Sequence, residues 1–386
     1  MAMLRLACPR PRPSCAYIKR SNREAVMTGK IKSLSPQSQA IRFKIDLQSH
    51  FNSLKRHNNF KRIKIKMIQL SNIKALNIEA SSSCTAHCPF CSRQQKVRDY
   101  SAHRISLSDI QKLPEELIKN LRRITFAGNF GDLSCNSEMV DISSYIKELN
   151  NNIVLGGETN GATQKREWWS SLGNYYKDGM MVFAVDGLSD THSLHRIGTD
   201  FDTVIENIRA FTASGGKATL KFIIFEHNEH QINPAEKLAK ESGCNQFIVI
   251  SSRDYNDTLR KPKTLDFKIK RDIFRLYKDE SVEASCKPLA DGSLYIAADG
   301  TVHPCCFAHC MYITEHNQQF RFILPLIERY KERINFKTRK LEDIITGKYF
   351  ENVLTLSKTN SYCRTKCNAH KKKIRQKMVL YHKHFE

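Results

Sequence analysis

Thirteen cysteines lie unevenly along the 386 residues, and their grouping limits what the chain can become more than any other feature. In order they are Cys8, Cys15, Cys84, Cys88, Cys91, Cys135, Cys244, Cys286, Cys305, Cys306, Cys310, Cys363 and Cys367. The N-terminus lacks the apolar run and small-residue cleavage site of a secretory signal, so these thiols are expected in a reducing, cytoplasmic compartment. Close-set cysteines there hold metal or clusters or carry catalysis, and do not serve as disulfide staples. No apolar stretch reaches the about eighteen residues that a bilayer span needs. Runs such as Met180 to Val185 are too short, so a membrane-spanning helix and a membrane partner are not expected.

With 40% hydrophobic residues the chain can bury a sizeable core. Its length suits one large domain or two to three ordinary ones. The 62 Lys and Arg against 39 Asp and Glu give a formal charge of +23. Residues 1–70 form a basic N-terminal extension, in which Glu24 is the only acid before Asp46. Arg5, Arg10, Arg12, Arg20 and Arg23 with scattered serines resemble a transit peptide in composition, and the stretch equally suits a miscalled start or a loosely ordered arm. Ile41 to Met67 is expected to hold one amphipathic helix leading into the fold.

From Ile73 onward short β-rich runs alternate with helical ones, the pattern of βα units around a parallel sheet. Six strands are expected, at Ala75–Ala80, Arg123–Ala127, Ile153–Gly157, Met180–Val185, Ala218–Phe225 and Gln246–Ile250. The helices between them carry a capping box from Ser108 to Gln111, a start at Asn233-Pro234, and ends at Gly215-Gly216 and Gly243. The fold class is therefore α/β, a partial (β/α)6 TIM-like barrel over residues 71–280. After Tyr277 the alternation stops. Residues 281–370 are expected to form a small cysteine-rich C-terminal domain with one short helix near Lys340–Thr346 and a core too meagre to fold without metal. Residues 371–386 are a basic tail, read with His370 as a surface helix.

Cys84, Cys88 and Cys91 stand on the loop after the first strand, in the run Ser81 to Arg93. Three thiolates this close can wrap one face of a 4Fe-4S cubane and leave one iron open. A structural zinc site with His87 or His103 as fourth ligand is the alternative. The spacing Cys-x3-Cys-x2-Cys, with Phe90 directly before the third cysteine, resembles the signature of the radical S-adenosylmethionine (SAM) superfamily. That family's partial (β/α)6 barrel carries its cysteine loop after the first strand, as here. The resemblance implies that Cys84, Cys88 and Cys91 are the catalytic cluster ligands and that SAM chelates the open iron. One electron then cleaves SAM to a 5′-deoxyadenosyl radical, which abstracts hydrogen from a substrate.

The resemblance also assigns SAM-binding positions. Phe90 belongs to the signature itself. Gly128, Asn129, Gly131 and Asp132 at the end of strand two resemble the glycine-rich segment that meets the SAM amino group. The usual acid directly after two glycines is absent, which leaves Asp132, Asn129 or backbone carbonyls for the task. A literal Gly156-Gly157-Glu158 ends strand three instead and is a lookalike. Asn160 after it lines the cavity near SAM or simply makes a turn. Asp186 after strand four faces the cavity, and Arg196 ten residues on holds the SAM carboxylate or makes a surface ion pair. His227 is a cavity proton carrier or a buried structural histidine.

Cys286, thirteen residues, Gly300, four residues and Cys305 resemble the opening of the SPASM and twitch auxiliary-cluster domains of the same superfamily. Asp299-Gly300 predicts a hairpin turn between Leu294–Ala297 and Val302. Cys363 and Cys367 supply a closing pair, so Cys286, Cys305, Cys363 and Cys367 close a second, auxiliary 4Fe-4S cluster, with zinc again the alternative. Cys306 and Cys310 are surplus, as replacement ligands or a partial second site. Cys8, Cys15, Cys135 and Cys244 are plain thiols.

These readings predict a radical SAM enzyme acting on a peptide or protein, with an electron donor such as flavodoxin or ferredoxin. Two alternatives stay open. One is an RNA- or nucleotide-modifying radical SAM enzyme, motivated by the +23 charge, since basic surfaces attract phosphate backbones. The other is a non-catalytic zinc-binding protein built on the same cysteines.

Overall fold

Each of the six expected β-rich runs forms a strand: β1 (Ala75–Ile78), β2 (Arg123–Phe126), β3 (Val154–Thr159), β4 (Met181–Ala184), β5 (Ala218–Ile224) and β6 (Gln246–Ser251). The computed structural model describes residues 68–100, 102–264, 284–314, 323–364, 367 and 379–385. The helix expected over Ile41–Met67 and nearly all of the basic extension lie outside the described residues. β1 to β6 pair in parallel with their chain neighbours. Parallel neighbours need crossovers, and helices supply them: α1 (Glu115–Asn120), α2 (Met139–Leu149), α3 (Arg166–Gly173), α4 (Phe201–Ala213) and α5 (Ile232–Glu241).

Helical periodicity explains how these crossovers dock. α2 buries Met139, Ile142, Ser143 and Ile146 on one stripe, and α4 buries Val204, Ile205, Ile208 and Phe211. Asp200 caps α4 by accepting from the Thr203 N–H, and Gly215 just past its end takes the left-handed φ of +89° that a side chain would resist. Trp169 of α3 packs against Phe183 of β4 and Phe211 of α4, joining two crossovers to the sheet. The capping box lies two residues earlier than expected. Ser106 and Asp109 exchange side-chain and backbone bonds, and Lys112 and Lys337 hold the Asp109 carboxylate.

The sheet continues at both edges. β7 (Ser293–Ile296) adds in parallel to β1, and β8 (Val302–His303) returns antiparallel across the expected turn, with Gly300 at φ +93°. β9 (Val379–His384) pairs antiparallel with β6, so part of the tail is a strand where a surface helix was expected. It satisfies the edge N–H and C=O groups that β6 would otherwise leave unpaired. The order is β8-β7-β1-β2-β3-β4-β5-β6-β9.

The C-terminal region is also richer than expected. Beside the foreseen helix α8 (Leu341–Ile345) it has α6 (Cys306–Thr314), α7 (Leu324–Tyr330) and α9 (Lys348–Ser357). Leu326, Ile327, Ile344, Ile345, Tyr349 and Phe350 are buried there, an apolar core of its own rather than a meagre one.

One buried carboxyl joins this region to the barrel. Glu79, directly after β1 and fully buried, accepts from Tyr100 Oη (2.9 Å), the Phe130 N–H (2.8 Å) and the Ala298 N–H (3.4 Å). His309 of α6 stands 3.9 Å away through Nδ1. Burial pushes the Glu79 carboxyl up from its usual 4.5, against the pull of these donors. The native state therefore keeps this proton at pH values where the unfolded chain has lost it. The stabilisation is fully present below about pH 4.5 and is lost as pH rises through the raised native value. Glu79→Gln removes that dependence, so its melting temperature relative to wild type is expected to climb as pH rises from 4.5 towards neutrality. Parallel melting curves for the two proteins across that range would count against the assignment.

Candidate metal and cofactor site

The loop from Ser81 to Cys91 has almost no regular structure and is held from outside. Arg93 donates from Nη1 to the Cys84 carbonyl and from Nη2 to the Ala86 carbonyl, both at 2.7 Å. The His87 N–H bonds the Ile197 carbonyl (2.7 Å) and the Asp132 N–H bonds the Ser83 carbonyl (2.8 Å). Gly131 makes the second contact feasible, since a Cβ there would lie 1.9 Å from the Ser81 carbonyl oxygen. The cysteine loop is thus clasped by the segments that follow β2 and β4. Phe90, between Cys88 and Cys91, is half-buried.

Two polar side chains reach the thiols themselves. Asn160, at the end of β3, donates from Nδ2 to Cys84 Sγ at 3.3 Å, and Arg196 donates from Nη1 to Cys88 Sγ at 3.7 Å. Burial pushes the Cys84 thiol up to about 12, with Asp132 adding to the shift and Arg93 opposing it. Burial also raises Cys88, and Arg196 opposes that. A metal replaces such protons on binding, because the thiolate and not the thiol is the ligand. Among the described residues no three His, Cys, Asp or Glu side chains close around a point small enough for one metal ion.

The segment after β2 spends its side chains inside the protein. Asp132 Oδ1 accepts from the Ser134 N–H (3.0 Å), Ser134 Oγ (2.7 Å) and Thr159 Oγ1 (2.7 Å), and Oδ2 accepts from the Asn160 N–H (2.6 Å). Asn129 Nδ2 donates to Tyr295 Oη and the Cys306 carbonyl, both at 3.0 Å, crossing to the C-terminal region. Gly128 leaves room for Glu79, whose Cγ would lie 2.7 Å from a Cβ there. The Gly156-Gly157-Glu158 run lies within β3, where Glu158 pairs with Lys221 at 2.6 Å, away from the cysteine loop.

Asp186 follows β4 and is fully buried, accepting from Arg196 Nε (2.5 Å), His195 Nδ1 (2.7 Å) and the Ile223 N–H (2.6 Å). Burial alone would raise its pKa, but Arg196 and His195 outweigh burial and hold the carboxyl well below the usual range. Burial likewise works against the Arg196 charge, and Asp186 more than restores it. His192 is pushed down to about 4 by burial and bonds Thr199 Oγ1 at 2.9 Å, so it is neutral near pH 7. His227 stacks on Phe225 with a buried Nε2 that finds no protein partner among the described residues.

In the second cysteine group the thiols lie near enough to feel one another's charge. Burial pushes Cys286 and Cys306 up to about 11 and raises Cys305 and Cys363 as well. The charge of Cys367 acts on Cys286, Cys306 and Cys363, while those of Cys286 and Cys363 act on Cys305. Cys310 acts on Cys306 as well. Its thiol bonds Ser92, beside Cys91, and feels Arg253 and Glu79.

With this geometry in place, a family model for the radical SAM superfamily matches residues 78–239. A second, for an iron-sulfur cluster-binding domain named SPASM, matches residues 286–368. The chain belongs to the radical SAM superfamily. It is an enzyme with a SPASM domain at its C-terminal side, and its cofactors are SAM and 4Fe-4S clusters. No curated protein matches it in sequence. Streptococcus suis SuiB bound to precursor peptide SuiA has a similar fold, with TM-score 0.50 at 15% identity over 90% of this chain and 82% of that one. SuiB bound to SAM gives TM-score 0.45 at 16% identity over 69% of this chain, and the match spans 66%, just under two thirds, of that chain. Native anSMEcpe with bound AdoMet and Cp18Cys peptide gives 0.47 at 15%, over 79% and 87%.

The radical SAM core thus brings Cys84, Cys88, Asn160, Asp186 and Arg196 together, and draws Gly131 and Asp132 against the cysteine loop from behind. Sequence reasoning gave no role to Arg93, although a basic residue inside the quoted loop was visible, nor to Glu79. Cys135, taken as a plain thiol, stands close enough to Cys84 to raise its pKa.

The ion pair under Arg196 sets a clear expectation for stability. Asp186→Ala strands Arg196 and His195 in a buried setting and should cost about 3–5 kcal/mol in denaturant unfolding. A cost below about 1 kcal/mol, the range of exposed pairs, would contradict the buried pair.

Proposed function

We propose that this enzyme cleaves SAM reductively and uses the resulting radical to take a hydrogen atom from a peptide or protein. The observation that carries the reading is the loop after β1, where two of three neighbouring thiols meet hydrogen-bond donors from the ends of β3 and β4. Strand C-terminal ends are where barrels of this kind place their chemistry. In this reading Cys84, Cys88 and Cys91 hold the first cluster, within a core over residues 71–280. A reduced 4Fe-4S cluster held by these residues would supply the one electron that reductive cleavage of SAM needs, with methionine and 5′-deoxyadenosine as the products after hydrogen is taken from the substrate.

The chain's own residues bind and orient. Asp132 and Asn129 already spend their side chains on internal donors and acceptors, which supports the carbonyls of the Gly128–Asp132 segment as partners of the SAM ammonium. Phe90 and Asn160 flank the same loop. Arg196 keeps N–H groups beyond those on Asp186 and Cys88 for the SAM carboxylate. In the domain over residues 281–370, Cys286, Cys305, Cys363 and Cys367 hold the auxiliary cluster. Cys310, turned towards Ser92, stands outside that set. The peptide class is supported by the shared fold with SuiB, which was solved with its precursor peptide. A one-electron donor such as flavodoxin or ferredoxin completes the reaction.

The test is formation of 5′-deoxyadenosine from SAM by protein reconstituted without oxygen and reduced with dithionite. Cys88→Ala is expected to abolish it. Cys363→Ala should retain it while holding about four fewer irons per chain. Formation of 5′-deoxyadenosine by Cys88→Ala would make the assignment of the first group wrong. Acceleration by added peptide but not by RNA would support the substrate class.

A further inference from the structure

We propose that Asn160 and Arg196 are tuning residues, whose hydrogen bonds to Cys84 Sγ and Cys88 Sγ raise the reduction potential of the cluster those thiolates hold. This rests on the reading above that Cys84, Cys88 and Cys91 are its ligands.

The geometry fixes both donors independently of any ligand. Asn160 is buried, its own N–H bonds Asp132 Oδ2 (2.6 Å), and its Oδ1 accepts from the Ala162 N–H (2.8 Å). An amide flip would face Nδ2 against that N–H and lose the bond, so the amide has one orientation and Nδ2 is left pointing at Cys84 Sγ, 3.3 Å away. Asp132 is itself locked by Ser134 and Thr159. The ends of β2 and β3 thus cooperate to aim a single N–H.

Arg196 is set in a parallel way. Asp186 takes Nε at 2.5 Å and is held in place by His195 and the β5 N–H of Ile223, so the guanidinium plane is fixed and Nη1 reaches Cys88 Sγ at 3.7 Å. Sequence reasoning gave Arg196 to the SAM carboxylate or to a surface ion pair. With five N–H donors a guanidinium can serve both partners.

Reduction adds negative charge to a cluster whose thiolates are already anionic. A donor on a thiolate sulfur stabilises the reduced form more than the oxidised one, so it makes the cluster easier to reduce. A full positive charge does so more strongly than an amide dipole. The two donors therefore act in the same direction, with Arg196 the larger.

The experiment is an EPR-monitored redox titration of the full chain, reconstituted without oxygen, with Asn160→Asp, Arg196→Gln and the double variant. The first cluster's signal is the one absent from Cys88→Ala. If Cys88→Ala keeps every wild-type signal, the ligand reading fails, and it fails separately from the present proposal. Both single variants are expected to retain iron and to shift the midpoint to lower potential, with the double variant furthest and Arg196→Gln further than the neutral Asn160→Ser. Asn160→Ser, neutral and too short to reach the sulfur, should shift in the same direction and shows that the lost bond and not the added charge is responsible. Wild-type midpoints with iron retained would overturn the proposal. So would loss of the first cluster in every variant, which would make these residues scaffold alone.

Discussion

A loop that must present three thiols without helix or strand to stiffen it depends on what surrounds it, and here that is chiefly one carboxylate. Asp132 collects Ser134, Thr159 and the Asn160 backbone on its two oxygens, while its own N–H bonds Ser83 in the cysteine loop. Three segments, from the ends of β1, β2 and β3, are tied through this residue. The contact requires glycine next to it, because any Cβ at Gly131 would collide with the Ser81 carbonyl. Arg93, two residues past the loop, then braces it by donating to two of its carbonyls. The cysteine loop is consequently built like the inside of an element, with its polar backbone satisfied by neighbours rather than by its own repeat.

The same logic fixes the SPASM domain against the core. β7 and β8 extend the barrel sheet past β1, so one continuous sheet runs from the first cysteine group towards the second. Glu79 sits at this seam and accepts from Phe130 on one side and Ala298 on the other, with Tyr100 between. Asn129 adds a bond from the β2 end to the Cys306 carbonyl. A segment expected to meet SAM is therefore also in contact with the helix that begins at an auxiliary-group cysteine. Any displacement of one is felt by the other through hydrogen bonds whose loss would leave buried polar atoms unpaired.

What the sequence made legible follows from locality. The six strands were visible as short β-rich runs because parallel strands are buried on both faces, and the β7–β8 hairpin because Asp299-Gly300 provides its turn. The loop cysteines were visible because all three lie within a few residues. β9 was not, since it is largely exposed and shows no alternation, and only the open edge of β6, remote in sequence, makes it a strand. The capping box was misplaced because two serines compete for it, and the lysine that settles the matter, Lys337, lies far along the chain. The bonds of Asn129 to Tyr295, Asp132 to Thr159 and Asn160 to Cys84 likewise span long stretches, and pairings of this kind leave no periodic trace.

Burial of the thiols completes the argument. Cys84 and Cys88 sit where desolvation disfavours the thiolate and raises both thiols. Arg93 and Arg196 offset that rise only in part. In the proposed reading, the positive charge of an iron-sulfur cluster would supply the remaining compensation. Asp132, Arg93 and Asp186 meanwhile hold the loop and its neighbours through hydrogen bonds that involve no thiol, and the apolar sheet and helices supply the buried core.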